Sequence, residues 1–239
     1  MVVTTRAIVF SAIKYGEADL IVSCFTEVAG LKSYMLRGIL KSRKGKLRTA
    51  MFQPLTLLQI EAFHKNKGTL ERIKEAKVVE PYKTLHTQVV KSSLVLFLAE
   101  MLKNSIQEEE SNPQLFEYLV ESFYWLDEHE EIANFHLLFL LHLTIHLGFY
   151  PDTSAIENPY FNLLEGNFQK NDFGIHCEKG NHVEFLKQFF GIEFDAISRI
   201  KPTKKVRLAA LDLLLLYYQL HLQGYKKPKS ILVLNQLFN

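Results

Sequence analysis

The sequence predicts a multidomain α+β protein, in which a small N-terminal β-barrel is followed by an α-helical bundle with an irregular insert. Three observations point that way. Over the first eighty residues, β-branched and aromatic side chains recur in short runs divided by turn residues, as strands require. After Pro81 the apolar period lengthens from two to about 3.6, the spacing of helices. The charge changes at the same place: residues 1–80 hold 14 Lys/Arg against 7 Asp/Glu, residues 81–150 hold 3 against 10, and residues 151–239 hold 11 against 9. The expected domains are therefore 1–80 and 81–239, with the insert at about 153–182.

The first strand is expected over 6–15. Gly16-Glu17 turns it into 20–26, and Gly30 turns that into 31–40. A polar gap over 41–49 precedes a run at 55–63, a turn at Asn66-Lys67-Gly68, and a last run at 70–79. Five strands in this length make a small barrel. An OB-fold, used mostly for single-stranded nucleic acid, fits the count, and an SH3-like barrel fits nearly as well.

Beyond Pro81, the apolar positions Leu85, Val89, Leu96 and Met101 mark a long helix ending near Glu108-Glu109-Glu110. Asn112-Pro113 then supplies a capping residue and a proline at the first helical position. The helix that follows sets Leu115, Phe116, Leu119, Val120, Phe123 and Leu126 on one face. A third, over 132–147, stops at Gly148 and Pro151. Residues 153–180, rich in Asn, Gly, Asp and aromatics, read as loop or small hairpin. Helices resume over 182–190 and 203–222, the latter ended by Gly224, and a short one starts at Ser230.

Bulk properties narrow the functional classes. The most apolar stretch, 135–149, is interrupted by His136, His142, Thr144 and His146 and is too short to cross a bilayer, so no membrane association is expected. The N-terminus lacks a basic region followed by an apolar core and a cleavage site. Cys24 and Cys177 are the only cysteines, too few for a disulfide framework. The expected location is the bacterial cytoplasm, and no cofactor is expected.

The strongest local signal is the gap between the third and fourth strands. Arg37, Lys41, Arg43, Lys44, Lys46 and Arg48 place six positive charges there with no acid among them. Anchored by strands at both ends, such a loop can lay cations along a phosphate backbone while nearby rings stack on bases. Tyr34, Phe52 and Phe63 are the candidate rings, although barrel core is the better expectation for each. Gly45-Lys46 does not complete a phosphate-binding loop: Leu40 stands where the first glycine belongs and Leu47 where Ser or Thr belongs. His142 and His146 share a helical face with metal-ligand spacing, but no carboxylate lies between them and the run is apolar, which favours buried histidines. Lys204, Lys205 and Arg207 open a helix, where the macrodipole disfavours cations; they read either as the solvated leading turn of a helix buried through 208–216 or as candidates for an acidic partner or DNA. Cys24 lies in an apolar strand and reads as core.

Taken in order, these segments resemble the RecO family of bacterial recombination mediators. The residues that carry the likeness are Tyr15-Gly16-Glu17 with Asp19-Leu20-Ile21-Val22, then Phe25-Thr26, Gly30 and Arg37-Gly38. Pro54 to Leu58, Gly68-Thr69-Leu70, residues 76–80, Leu147 to Pro151 and Lys229 to Leu234 continue it. The resemblance implies an OB-fold N-terminus that binds single- and double-stranded DNA, and a non-enzymatic role in DNA repair. It further implies displacement of single-strand-binding protein so that RecA can load, and annealing of complementary strands. RecR and the acidic tail of single-strand-binding protein are the implied partners, with RecA engaged indirectly. Many members carry a four-cysteine zinc module where this chain offers only His176, Cys177 and His182. Four good ligands are needed, so a metal-free insert is expected, with residues 160–164 and Phe168 packing in its place. Two rivals remain open: a protein-interaction scaffold that does not bind DNA, and a metal-dependent hydrolase centred on His142 and His146.

Overall fold

The computed structural model describes residues 1–42, 46–65 and 70–237, so Arg43, Lys44 and the expected turn at Asn66-Lys67-Gly68 lie outside it. The chain divides into two compact units, Met1–Glu128 and His129–Asn239. The first unit therefore contains two helices as well as the strands.

Five strands build the first unit: β1 (Val2–Tyr15), β2 (Asp19–Thr26), β3 (Gly30–Leu36), β4 (Leu57–Phe63) and β5 (Arg72–Val78). They pair antiparallel in the order β3-β2-β1-β4-β5. One parallel bridge, Tyr34 to Glu71, brings the edges together: the Met35 amide donates to Glu71 O at 2.9 Å and the Glu71 amide to Ser33 O at 2.8 Å. The result is a partly open barrel of the OB type. Strand β3 stops at Leu36 rather than Leu40, because Gly38 turns the chain at φ 70°.

Alternation decides which side chains fill the barrel. Val9, Val22, Cys24, Tyr34, Leu36, Leu58, Ile60 and Ile73 point inward, joined by Phe52 from a short 3-10 turn over Thr49–Phe52. In β1 the register to β2 shifts between Val9 and Ser11, leaving Phe10 as an extra residue. Such a bulge exchanges the parity of a strand. Before it, Ala7 and Val9 face the core; after it, Ala12 does, and Ser11, Ile13 and Tyr15 take the outer face.

Helices α1 (Val89–Ser105) and α2 (Pro113–Glu128) cover part of that outer face. Asn112 caps α2, its Oδ1 accepting from the Leu115 amide at 3.0 Å. Phe10 stacks on Phe25 at 5.9 Å, and Phe25 meets Phe116 of α2 at 6.1 Å. Each ring so sheltered contributes about 1.5–3 kcal/mol. Arg6, over the Phe116 ring, pairs with both Glu27 and Glu117. The acidic segment between the helices, expected only as a helix end, is a strap across the start of β3. The Leu31 amide donates to Glu108 O at 3.0 Å, Lys32 Nζ pairs with Glu109 at 3.0 Å, and Ser111 Oγ donates to Glu27 O at 2.8 Å.

In the second unit, α3 (Phe135–His146) is apolar on nearly all sides and packs against α5 (Lys204–His221), where the Tyr218 hydroxyl donates to Leu140 O at 2.7 Å. Helices α4 (Asn181–Lys187) and α6 (Ile231–Leu237) complete the helical part. The insert folds as a small sheet of β6 (Tyr160–Asn162), β7 (Asn167–Gln169) and β8 (Cys177–Glu178) in the order β7-β6-β8. Its centre is aromatic: Phe161 meets Phe168 at 5.0 Å and Tyr217 of α5 at 5.5 Å. Among the described residues, no helix is long and apolar enough to cross a membrane.

Candidate nucleic-acid interface

The loop after β3 is rooted in the core at both ends. Buried Ile39 anchors its start and Leu47 packs against the core near its end. Gly38 O accepts from the Lys41 and Ser42 amides, and the Gly38 amide donates to Asp19 Oδ1 at 2.7 Å. Of the six expected cations, Arg37, Lys41, Lys46 and Arg48 are exposed; Arg43 and Lys44 lie outside the described residues. Lys41 pairs with Glu17 at 3.0 Å and Lys46 with Glu75 at 2.6 Å. Ion pairs between such exposed groups are weak and screened by salt, so both lysines are readily recruited by a phosphate.

The loop borders a groove of about 940 Å³ that runs beside the β3–β5 seam. Ile39, Leu47, Ile73 and Phe63 give it apolar lining, and Arg37, Lys46, Lys65, Arg72 and Lys74 give it cations. The last three were missed by reading one loop at a time. The signal for two of them was available in β5, where Arg72 and Lys74 flank inward-facing Ile73 and so must face outward. Among the described residues Glu71 is the one acid of the lining, and it is buried, with both carboxylate oxygens accepting from the Lys65 amide at 2.9 Å. Tyr34 Oη and His64 Nε2 share a buried hydrogen bond of 2.8 Å. Burial is the main cause that lowers the His64 pKa, with Lys32 and the N-terminal ammonium adding to it and Glu71 opposing it. A groove of this kind can neutralise phosphates with its walls and hold an apolar face on its floor.

Strand parity separates Tyr34 from Phe63, and the 3-10 turn carries Phe52 into the core. Tyr34 and Phe52 are core at 0 % and 2 % exposed, whereas Phe63 is 38 % exposed and lines the groove. Cys24 is fully buried, and burial pushes its thiol pKa up.

In the second unit, Thr203 caps α5, accepting from the Val206 amide at 3.4 Å. Lys204 and Lys205 are exposed in the first turn. Arg207 is half-buried, and its Nε donates to Asn134 Oδ1 at 3.0 Å, while Asn134 Nδ2 donates to Ile200 O at 2.6 Å. That side chain is engaged in packing the unit. His142 lies against Phe194, 6.0 Å between ring centroids, and burial lowers the pKa of both His142 and His146. Among the described residues, no group of three or more His, Cys, Asp or Glu side chains is placed to hold a metal ion.

Comparison with known proteins agrees across the chain. Residues 1–82 match the family model described as recombination protein O N terminal, and residues 86–230 match recombination protein O C terminal. A protein of Christiangramia forsetii named DNA repair protein RecO is 53% identical over 238 residues, covering 100% of both chains. Proteins of the same name from Flavobacterium psychrophilum and Bacteroides fragilis are 46% identical over 239 residues and 33% identical over 243, again with 100% of each chain covered.

Proposed function

This chain belongs to the RecO family, and from that premise we propose that it is a DNA-binding mediator of recombinational repair that acts by binding rather than catalysis. The observation that supports this best is the juxtaposition of the exposed loop cations with the cation-walled groove at the barrel seam. DNA phosphates would lie against Arg37, Lys41, Lys46 and Arg48, together with Arg43 and Lys44 of the same loop, and continue along Lys65, Arg72 and Lys74. In the cell the task is strand handover: displacing single-strand-binding protein so that RecA can load, and annealing complementary strands. RecR and the acidic tail of single-strand-binding protein are the proposed partners. Lys204 and Lys205, exposed at the start of α5, are the residues proposed for that tail, and Arg207 contributes from a half-buried position. The bacterial cytoplasm, at the nucleoid, is the proposed place of action.

A salt titration tests the DNA reading. Six loop cations on single-stranded phosphates give a fall of log K with log salt of slope near −4, from about 0.7 per contact. Replacing Arg37, Lys41, Arg43, Lys44, Lys46 and Arg48 together should abolish most of that slope. Unchanged affinity in the sixfold variant favours the scaffold reading instead.

A further inference from the structure

One end of the small insert sheet carries large apolar side chains in the open. The Leu163 amide donates to His176 O at 2.8 Å, which continues the β6–β8 register past Asn162 and Cys177 and sets Leu164 beside Ile175. Phe173 stands in the same turn as Ile175. Leu164 is 53 %, Phe173 70 % and Ile175 93 % exposed. The tip is nonetheless held in shape: Asp172 Oδ1 accepts from the Gly174 amide at 3.1 Å, Gly174 O from the Cys177 amide at 3.1 Å, and Asn162 Oδ1 from the Leu164 amide at 3.0 Å. Single apolar residues on a surface need no explanation, but adjacent large ones on ordered turns mark a contact surface.

The same unit holds a pocket of about 240 Å³ between α4 and the start of α5. Phe185, Ile200, Pro202 and Val206 give it apolar walls, and Glu184 and Lys201 stand among them. One wall is fixed by Asn134, whose Nδ2 donates to Ile200 O at 2.6 Å. On α4 the residues lining the pocket, Asn181, Glu184, Phe185 and Gln188, follow the spacing of one helical face. Lys187 leaves α4 toward the insert, over the Phe168 ring at 5.3 Å and donating to Asn158 O at 2.8 Å. The tip leaves the pocket of its own chain unfilled, and α4 stands between them.

Charge identifies the occupant. Glu165 follows Leu164 and Asp172 precedes Phe173, and these exposed acids repel a phosphate backbone. Tip and pocket instead complement each other. Asp172 beside Phe173 suits Lys201 at the pocket, and exposed Lys170 suits Glu184, whose pair with Lys187 at 2.7 Å is an exposed, weak one. We propose that the tip residues Phe173 and Ile175 of one copy seat in the α4–α5 pocket of a second copy of this chain. A patch that fits a pocket elsewhere on the same molecule makes a head-to-tail contact, which builds rows of copies rather than closed pairs. So few anchoring side chains bury much less than the roughly 800 Å² per partner of a stable interface, so the contact is weak in free solution. Copies on one DNA strand are held at high local concentration, where a weak contact suffices to make binding cooperative. That consequence rests on the DNA-binding reading above; the contact itself does not.

Sedimentation equilibrium and binding to oligothymidine test it, on the unaltered chain, a tip variant carrying Phe173→Ala and Ile175→Ala, and a pocket variant carrying Val206→Glu. The tip positions are exposed, and a glutamate at 206 completes a capping box with Thr203, so both variants keep the fold. Expected is a mass that rises with concentration for the unaltered chain and an association about tenfold or more weaker in each variant alone. Mixing the variants restores pairs, since one supplies an intact pocket and the other an intact tip. On oligothymidine long enough for several copies, the unaltered chain binds cooperatively and each variant does not; on a length that seats one copy, all three agree within about twofold. An unaltered chain that stays monomeric and binds long DNA without cooperativity, a pocket variant that still associates, a mixture that does not, or a tip variant weakened on short DNA overturns the contact and leaves the DNA-binding reading standing. Association without any binding to oligothymidine keeps the contact and overturns that reading.

Discussion

The ammonium of Lys91, fully buried, donates to the backbone carbonyl of Asp127 at 2.8 Å, and the Asp127 carboxylate accepts from the amides of Lys83, Thr84 and Leu85 at 2.7 to 3.0 Å. The Thr84 hydroxyl joins the same cluster, receiving from Lys91 Nζ at 2.8 Å and donating to the Asp127 carboxylate. One residue of α2 thus fastens the segment that leads from the last strand into α1. Asp127→Ala should lower stability by about 1–3 kcal/mol, the cost of leaving the buried Leu85 amide without a partner. Urea unfolding measures it. Burial raises the Asp127 pKa, but the three amides and the Thr84 hydroxyl outweigh it and hold the carboxyl below the usual range. Its contribution is therefore complete above the unfolded pKa of about 3.9 and lost as pH falls through the lower folded value. Asp127→Ala should abolish that acid-dependent part of the loss.

Gly30 and Gly16 both turn at positive φ, 62° and 59°, but only Gly30 is crowded. A Cβ at Gly30 would stand 2.7 Å from Glu108 O and 2.8 Å from Glu110 N, whereas at Gly16 nothing lies within 4 Å. Gly16→Ala should cost about 1–2 kcal/mol, the strain of a left-handed residue alone. Gly30→Ala should cost distinctly more and release the strap. Hydrogen exchange at the Leu31 amide, accelerated in Gly30→Ala and unchanged in Gly16→Ala, separates the two effects.

Burial, reinforced by the charge of Arg207, pushes the His136 imidazole down to about 3. Between that value and the unfolded value of about 6.5, the unfolded chain binds a proton that the folded chain refuses. Stability is therefore full above about pH 6.5 and falls as the solution is acidified toward 3, by at most about 1.4 kcal/mol per pH unit from this residue. Denaturant titrations from neutral to acid pH should show the decline, and His136→Leu should flatten it by one proton's worth.

Arg72 and Lys74 test the groove independently of the loop. Replacing both with Ala should weaken single-stranded DNA binding and make the salt slope shallower by about 1.4, at about 0.7 per phosphate. A slope identical to that of the unaltered chain would confine the DNA path to the loop.

Much of the fold was legible because local rules and burial agree. Gly30 and Asn112-Pro113 act where turn and capping chemistry place them, and five strands in the first eighty residues do form one barrel. The loop cations were legible for the same reason, as consecutive residues between two strands. What escaped is non-local. Phe63 was expected in the barrel core and instead faces outward, because in β4 it alternates with inward-facing Leu58, Ile60 and Ala62. Tyr15 faces outward only because Phe10 is a bulge, which no run of ten residues announces. The groove joins β3, the loop and β5, segments that meet only when the barrel closes.

The strap has a further meaning for the way the molecule is made. The start of β3 waits for Glu108 and Glu109, the latter 77 residues beyond its partner Lys32, and Phe25 waits for Phe116. A ribosome that has released only the strands has released an open edge and uncovered rings, which is when a nascent chain is most prone to aggregate. The barrel is thus finished late in translation, once α2 has emerged. A fragment cut between the two family models, after residue 82, would carry that unfinished state permanently.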